Sequence, residues 1–134
     1  MKLLKKIFGI CETPLPADPD CWAHEGDTIV VDRQRATEIS QPGGALRLEG
    51  KGLDRRILLF HGRDGRFYAL QNKCSHIGGR RIDPAAEEDR LQCCSINGSV
   101  YNYHGEVISG PARNPLPAFP VREEDDRLVI ELKQ

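Results

Sequence analysis

Cys74 and His76 form a C-x-H pair, and Cys94 follows after seventeen further residues, three positions before Asn97 in the stretch LQCCSINGSVY. Thiolate and imidazole donors on two short loops are the donor set of zinc or of an iron-sulfur centre. One ligand is missing, because Asn97 stands where the surrounding cysteines, glycine and polar loop lead one to expect a histidine. Cys74, His76 and Cys94 are candidate metal donors, with Asn97 and Cys93 beside them on the second loop.

Each other candidate has a plainer reading. Cys93 adjoins Cys94, and neighbours on an extended strand point to opposite faces, so Cys93 reads as a buried thiol unless the loop bends. His104, in NYHGE, reads as a solvated turn residue that extended chain could carry up to about 20 Å from Asn97. His61 precedes GRDG and reads the same way. Cys21 and His24 have C-x-x-H spacing, a weak signal beside the alternative of a thiol packed near Trp22. Cys11 lies on the same N-terminal arm, which by folding back would supply a ligand or shield the site.

Loops of this kind need strands to hold them. DTIVVD (27–32), ALRLEG (45–50), RRILLFHG (55–62) and RFYALQN (66–72) are β-rich runs bounded by turn formers, with Leu46 and Leu48 expected to face inward. GRDG (62–65) has the Asp-Gly chemistry of a tight hairpin. RLQCC, SVYNY and EVISG follow, and a terminal hairpin places FPV and RLVIEL about REEDD, with Leu128, Ile130 and Leu132 on its buried face. An all-β chain of stacked antiparallel sheets is expected, with two loops forming a small ligand-binding subdomain.

The 134 residues suit one domain. Residues 1–26 read as an N-terminal arm, a short amphipathic helix in MKLLKKIFGI followed by an irregular Pro- and Asp-rich segment, and the compact domain is expected over 27–134. Nineteen Lys and Arg against 20 Asp and Glu, interleaved, argue against a nucleic-acid partner. No apolar run reaches the roughly 18 to 20 residues that span a bilayer, and no A-x-A-like cleavage site follows the start. The chain is read as soluble and cytoplasmic. Its five cysteines cannot all pair within the chain, and in a reducing compartment thiols indicate metal, redox chemistry or burial.

The motif resembles the Rieske family of 2Fe-2S proteins, which present C-x-H and C-x-x-H-G from two loops. The resemblance runs from roughly residue 27 to 132, through GALRLEGKGLDRRILLFHGRDGRFYALQNKCSH and GEVISGPARNPLPAFPV. It implies that Cys74 and Cys94 hold one iron and His76 the other, with Asn97 in the place of the second histidine. Two imidazoles on one iron raise the potential above that of an all-thiolate cluster. The extra loop cysteines of many high-potential members are absent, Gly79 and Ile96 standing there. Ser99 and Tyr101 match the residues whose hydroxyls donate to a bridging sulfide and a cysteine sulfur. Gly78 and Gly98, beside ligand positions, would let backbone N–H groups approach the sulfides; Gly110 has the same double reading of close approach or simple turn. Arg80 and Arg81 would steer an acidic redox partner, or are simply solvated.

Three functions remain open. The first is a small electron-transfer protein with a Rieske-type 2Fe-2S cluster and a non-standard fourth ligand, passing electrons between a reductase and an oxygenase or oxidase. The second is a cluster-less or zinc-bound binding or regulatory module. The third is the ferredoxin component of an oxygenase system. Catalysis by this chain alone is not expected, since no nucleophile and base accompany the motif.

Overall fold

A computed structural model describes residues 11–75, 79–85, 88–94 and 98–133. The expected helix in the first ten residues, and His76, Gly78, Ile96 and Asn97, lie outside the described residues. Among the described residues, twelve short strands form three four-stranded antiparallel sheets, and helical structure is limited to 3-10 turns at Pro19–Cys21 and Thr37–Ile39. The first sheet runs β1 (Trp22–Glu25), β2 (Thr28–Asp32), β12 (Arg127–Glu131), β11 (Val121–Glu124). The second runs β10 (Ala118–Phe119), β5 (Phe67–Gln71), β4 (Ile57–His61), β3 (Ala45–Leu48). In the third, β6 (Ile82–Pro84), β7 (Arg90–Cys93), β8 (Val100–Asn102) and β9 (Val107–Ser109) lie in chain order.

Burial along β4 explains the stacking. Ile57, Leu58, Leu59 and Phe60 are all buried, and the two-residue period of a strand sends them alternately to opposite faces. Ile57 and Leu59 join Ile29, Val31, Leu46, Leu48, Leu128 and Ile130 in a core against the first sheet. Leu58 and Phe60 face the other way and pack with Leu70, Ile82, Leu91, Tyr101 and Tyr103 against the third. The second sheet is thus the middle layer, and the third is mounted on a surface that is itself fixed from behind.

Expected strands and turns are found close to their predicted positions. Gly62 N donates to Arg66 O at 2.7 Å and Gly65 takes φ 85°, so GRDG closes the β4–β5 hairpin. Leu46 and Leu48 are fully buried, as are Leu128 and Ile130, while Leu132 is half-buried against the same core.

The N-terminal arm departs from expectation. Trp22–Glu25 pairs in register with Val31–Thr28, and Cys21 and Trp22 are buried in the first core. An irregular segment reaching residue 26 is therefore corrected over Pro19–Glu25: pairing with β2 makes Trp22–Glu25 a strand although the surrounding Pro and Asp residues obscure it in the sequence. Among the described residues, no helix is long and apolar enough to cross a membrane.

Candidate metal centre

The two loops arise from the third sheet and its junction with the second. The first loop leaves β5 and re-enters at β6, carrying Cys74; the second joins β7 to β8, carrying Cys94. Backbone bonds from one dipeptide fasten both cysteines, because Cys74 N donates to Arg80 O at 2.6 Å and Cys94 N donates to Arg81 O at 2.9 Å. The Arg80-Arg81 pair, singled out in the sequence for its charge, acts structurally through its carbonyls.

Side chains then lock that strut. Arg81 makes a two-pronged contact with Glu49, Nε to Oε2 at 2.7 Å and Nη2 to Oε1 at 3.0 Å. Burial pushes the Glu49 carboxyl up, but the bonded Arg81 guanidinium, with Arg47 and Arg56 nearby, holds it below its ordinary value. Arg56 donates to Asn72 O and to Gly79 O, closing the first loop onto β4. The buried Asn72 side chain accepts from Ile82 N at 2.7 Å and ties the two ends of that loop together.

Cys74 is buried, and its Sγ lies 3.2 Å from the Tyr101 hydroxyl. Ser75 donates its own hydroxyl proton to Asn114 O, and its N–H points to the Tyr101 oxygen at 3.2 Å. The phenol proton is thereby left for Cys74 Sγ or Ser75 Oγ, which lies 3.1 Å away. Burial and the Cys74 contact push the Tyr101 phenol up to about 12, so this donor stays protonated well above neutral pH. Ser99 is fully buried and accepts from Ala112 N at 2.8 Å, which leaves its own proton free to donate. At Gly110, φ is 94° and an added Cβ would meet Ser99 Cα at 2.6 Å; glycine is required there for the return strand to cross close behind the second loop. Gly98 is half-buried at the start of that same crossing.

The remaining candidates separate. Cys93 ends β7 and lies in the core shared by the second and third sheets, which is the buried placement that strand alternation predicts. His61 directs Nδ1 to Ile39 O at 3.0 Å and stacks on Phe67. His104 is exposed in the β8–β9 turn. Both ring nitrogens of His24 face carbonyl oxygens, those of Lys51 and Gly26. Burial pushes the Cys21 thiol up, and Cys21 packs in the first core.

Cys94 differs most from expectation. It is joined in a disulfide to Cys11, 83 positions away, across a Cα–Cα distance of 5.3 Å. A disulfide sulfur carries no thiolate charge to give to iron, so ligation by Cys94 belongs to the reduced form of the pair. Nothing in the spacing of the cysteines indicates this partner. Three hydrogen bonds deliver Cys11: Glu12 N, Thr13 N and Thr13 Oγ1 all donate to the Asp83 carboxylate, at 2.7, 3.0 and 2.5 Å. Among the described residues, the one group of three potential metal donors is Cys11, Asp83 and Cys94, within 4.8 Å of one another.

Residues 28–120 match the Rieske [2Fe-2S] domain family. The chain belongs to that family. It is 30% identical over 92 residues, 68% of this chain, to a cytochrome b6-f complex iron-sulfur subunit of Chlorobaculum tepidum, and spans 48% of that protein. Over 93 residues it is 29% identical to a 3-phenylpropionate/cinnamic acid dioxygenase ferredoxin subunit of Shigella boydii, covering 69% of this chain and 84% of the relative. Among solved structures, the ferredoxin of carbazole 1,9a-dioxygenase from Nocardioides aromaticivorans superposes with a TM-score of 0.54 at 17% identity, over 69% of this chain and 88% of the other. A complex of reduced oxygenase and oxidized ferredoxin in carbazole 1,9a-dioxygenase gives 0.58 at 20% identity, over 74% and 89%.

Membership implies a [2Fe-2S] cluster, and electron transfer is the chemistry such a cluster supplies. The described residues of this Rieske domain fit it once the disulfide is open. Cys74 is a buried sulfur with a phenol donor already aimed at it, Ser99 keeps a free hydroxyl proton beside the second loop, and reduction returns Cys94 as a thiol.

Proposed function

We propose that this chain is a one-electron carrier that serves an oxygenase or oxidase as its ferredoxin, receiving electrons from a reductase. The observation that carries the reading is the Cys74–Tyr101 contact on a loop strapped, through Arg80 and Arg81, to the loop of Cys94. Cys74, His76 and Cys94 are the ligands in this reading, and the ferredoxin named among the relatives supports the choice of partner. The cytoplasm is the compartment assigned, where thiol pools hold a Cys11–Cys94 pair open.

Iron and acid-labile sulfide analysis on anaerobically purified protein held in a dithiol tests this, together with an EPR spectrum after dithionite. About two irons, two sulfides and a reduced-cluster signal are the expected result. Absence of all three after reconstitution overturns it.

The disulfide itself favours a second reading, a cluster-less regulatory or binding module of the same fold. With the disulfide reduced, zinc at Cys11, Asp83 and Cys94 belongs to that reading, although Asp83 already accepts three bonds from the arm. A colourless protein with one zinc per chain would select it.

A further inference from the structure

Resting on the electron-carrier reading, we infer that Cys11 is a ligand of the iron-sulfur cluster and supplies the donor that Asn97 lacks. The chain offers three strong donors at the family positions, and a two-iron cluster needs four. Among the described residues, Cys11 is a further thiol placed against a family ligand, its sulfur reaching that of Cys94.

Its placement is built rather than incidental. Glu12 and Thr13, the two residues after Cys11, spend both backbone N–H groups and the Thr13 hydroxyl on Asp83, at the centre of β6. Arg47 N donates to Pro14 O at 2.9 Å and fixes the next step of the arm to β3. The β6 strand is paired to β7, which ends beside Cys94, with Ile82 opposite Cys93. Asp83 therefore sets the arm in register with the second loop, and Cys11 arrives at Cys94 as a consequence. A thiolate there is a softer and stronger donor to iron than a carboxamide oxygen.

The disulfide is the oxidised form of the same two donors. A dithiol reductant opens it by two thiol–disulfide exchanges: its two thiols give up two electrons and two protons and close to a cyclic disulfide, while the Cys11–Cys94 bond breaks to two thiols. Those two thiols lose their protons when they bind metal. A chain kept oxidised would accept no cluster, and the same chain under a dithiol would accept one.

Reconstitution with ferric iron and sulfide under a dithiol, followed by iron and sulfide analysis and EPR, tests the assignment on wild type, Cys11→Ala, Cys11→Ser and the Cys11→Ala/Asn97→His double variant. Wild type should hold about two irons per chain. Cys11→Ala should lose at least about five-fold in cluster content, Cys11→Ser should retain iron with an altered spectrum from its oxygen donor, and Asn97→His should restore loading to the alanine variant. Iodoacetamide mapping of loaded wild-type protein makes the test independent of variant folding: Cys11 should be protected, and modified once a chelator strips the iron. A loaded wild type whose Cys11 alkylates freely, or a Cys11→Ala variant with unchanged iron and spectrum, overturns the ligand assignment alone. Wild type that takes up no cluster under the dithiol overturns the electron-carrier reading together with it.

Discussion

Tyr101 shows how one side chain sets the properties of a site before any metal is considered. It is fully buried, yet its oxygen has a neighbour on each side: an N–H from Ser75 to accept, and Cys74 Sγ and Ser75 Oγ within reach of its proton. A donor to a ligating sulfur favours the more negative, reduced state of the centre. Tyr101→Phe should therefore lower the midpoint potential, by on the order of 50 mV if about 1 kcal/mol of differential hydrogen bonding is lost. Potentiometric titration of the two proteins reads this directly. The same variant should alter alkaline stability. With its phenol raised from 10.0 to about 12 in the folded chain, Tyr101 stabilises the fold fully below pH 10 and loses that contribution as pH rises toward 12. Urea midpoints across that window should fall less steeply in Tyr101→Phe, and parallel curves would refute the assignment.

Strands, at the next scale, convert local pattern into the meeting of distant residues. β6 is three residues long, but its central Asp83 accepts three hydrogen bonds from Glu12 and Thr13, while its neighbours Arg80 and Arg81 carry the backbone acceptors for both loop cysteines. Asp83→Ala should release the arm at a cost of about 1–3 kcal/mol, since the freed Glu12 N–H is exposed and can turn to water but the Thr13 donors are buried and lose a carboxylate partner. Amide exchange at Glu12 and Thr13 should speed up markedly while exchange in β4 stays slow. Equal rates in variant and wild type would mean that the arm is held by something other than this carboxylate.

The whole molecule is a three-layer stack whose middle sheet is buried on both sides, and the Cys11–Cys94 bond ties the beginning of the described chain to the third layer. Closing so long a segment restricts the unfolded chain, so opening the bond with a dithiol should reduce stability by roughly 2–4 kcal/mol in the metal-free protein. Urea unfolding with and without the dithiol measures it, and coincident curves would show that the bond does not form in solution. Acid should weaken the stack from the other side of the pH scale. Glu49 is held below its ordinary value of 4.5, so its pairing with Arg81 contributes above that pH and is lost as pH falls through the depressed value.

The sequence by itself determined what is periodic or contiguous. Short β-rich apolar runs bounded by turn formers specify β2, β3, β4, β5 and β12, Asp-Gly chemistry specifies the β4–β5 turn, and C-x-H with a downstream cysteine marks the two loops, because each of these signals is complete within a few residues of chain. β1 was hidden by its Pro- and Asp-rich surroundings, and its strand character comes from pairing with β2 rather than from its own composition. The partnership of Cys11 with Cys94, the Asp83 clamp and the use of Arg80 and Arg81 as a backbone strut were decided only by tertiary structure. Each joins groups far apart in sequence, or acts through carbonyls that every residue possesses, and neither kind of contact leaves a mark in residue type or spacing.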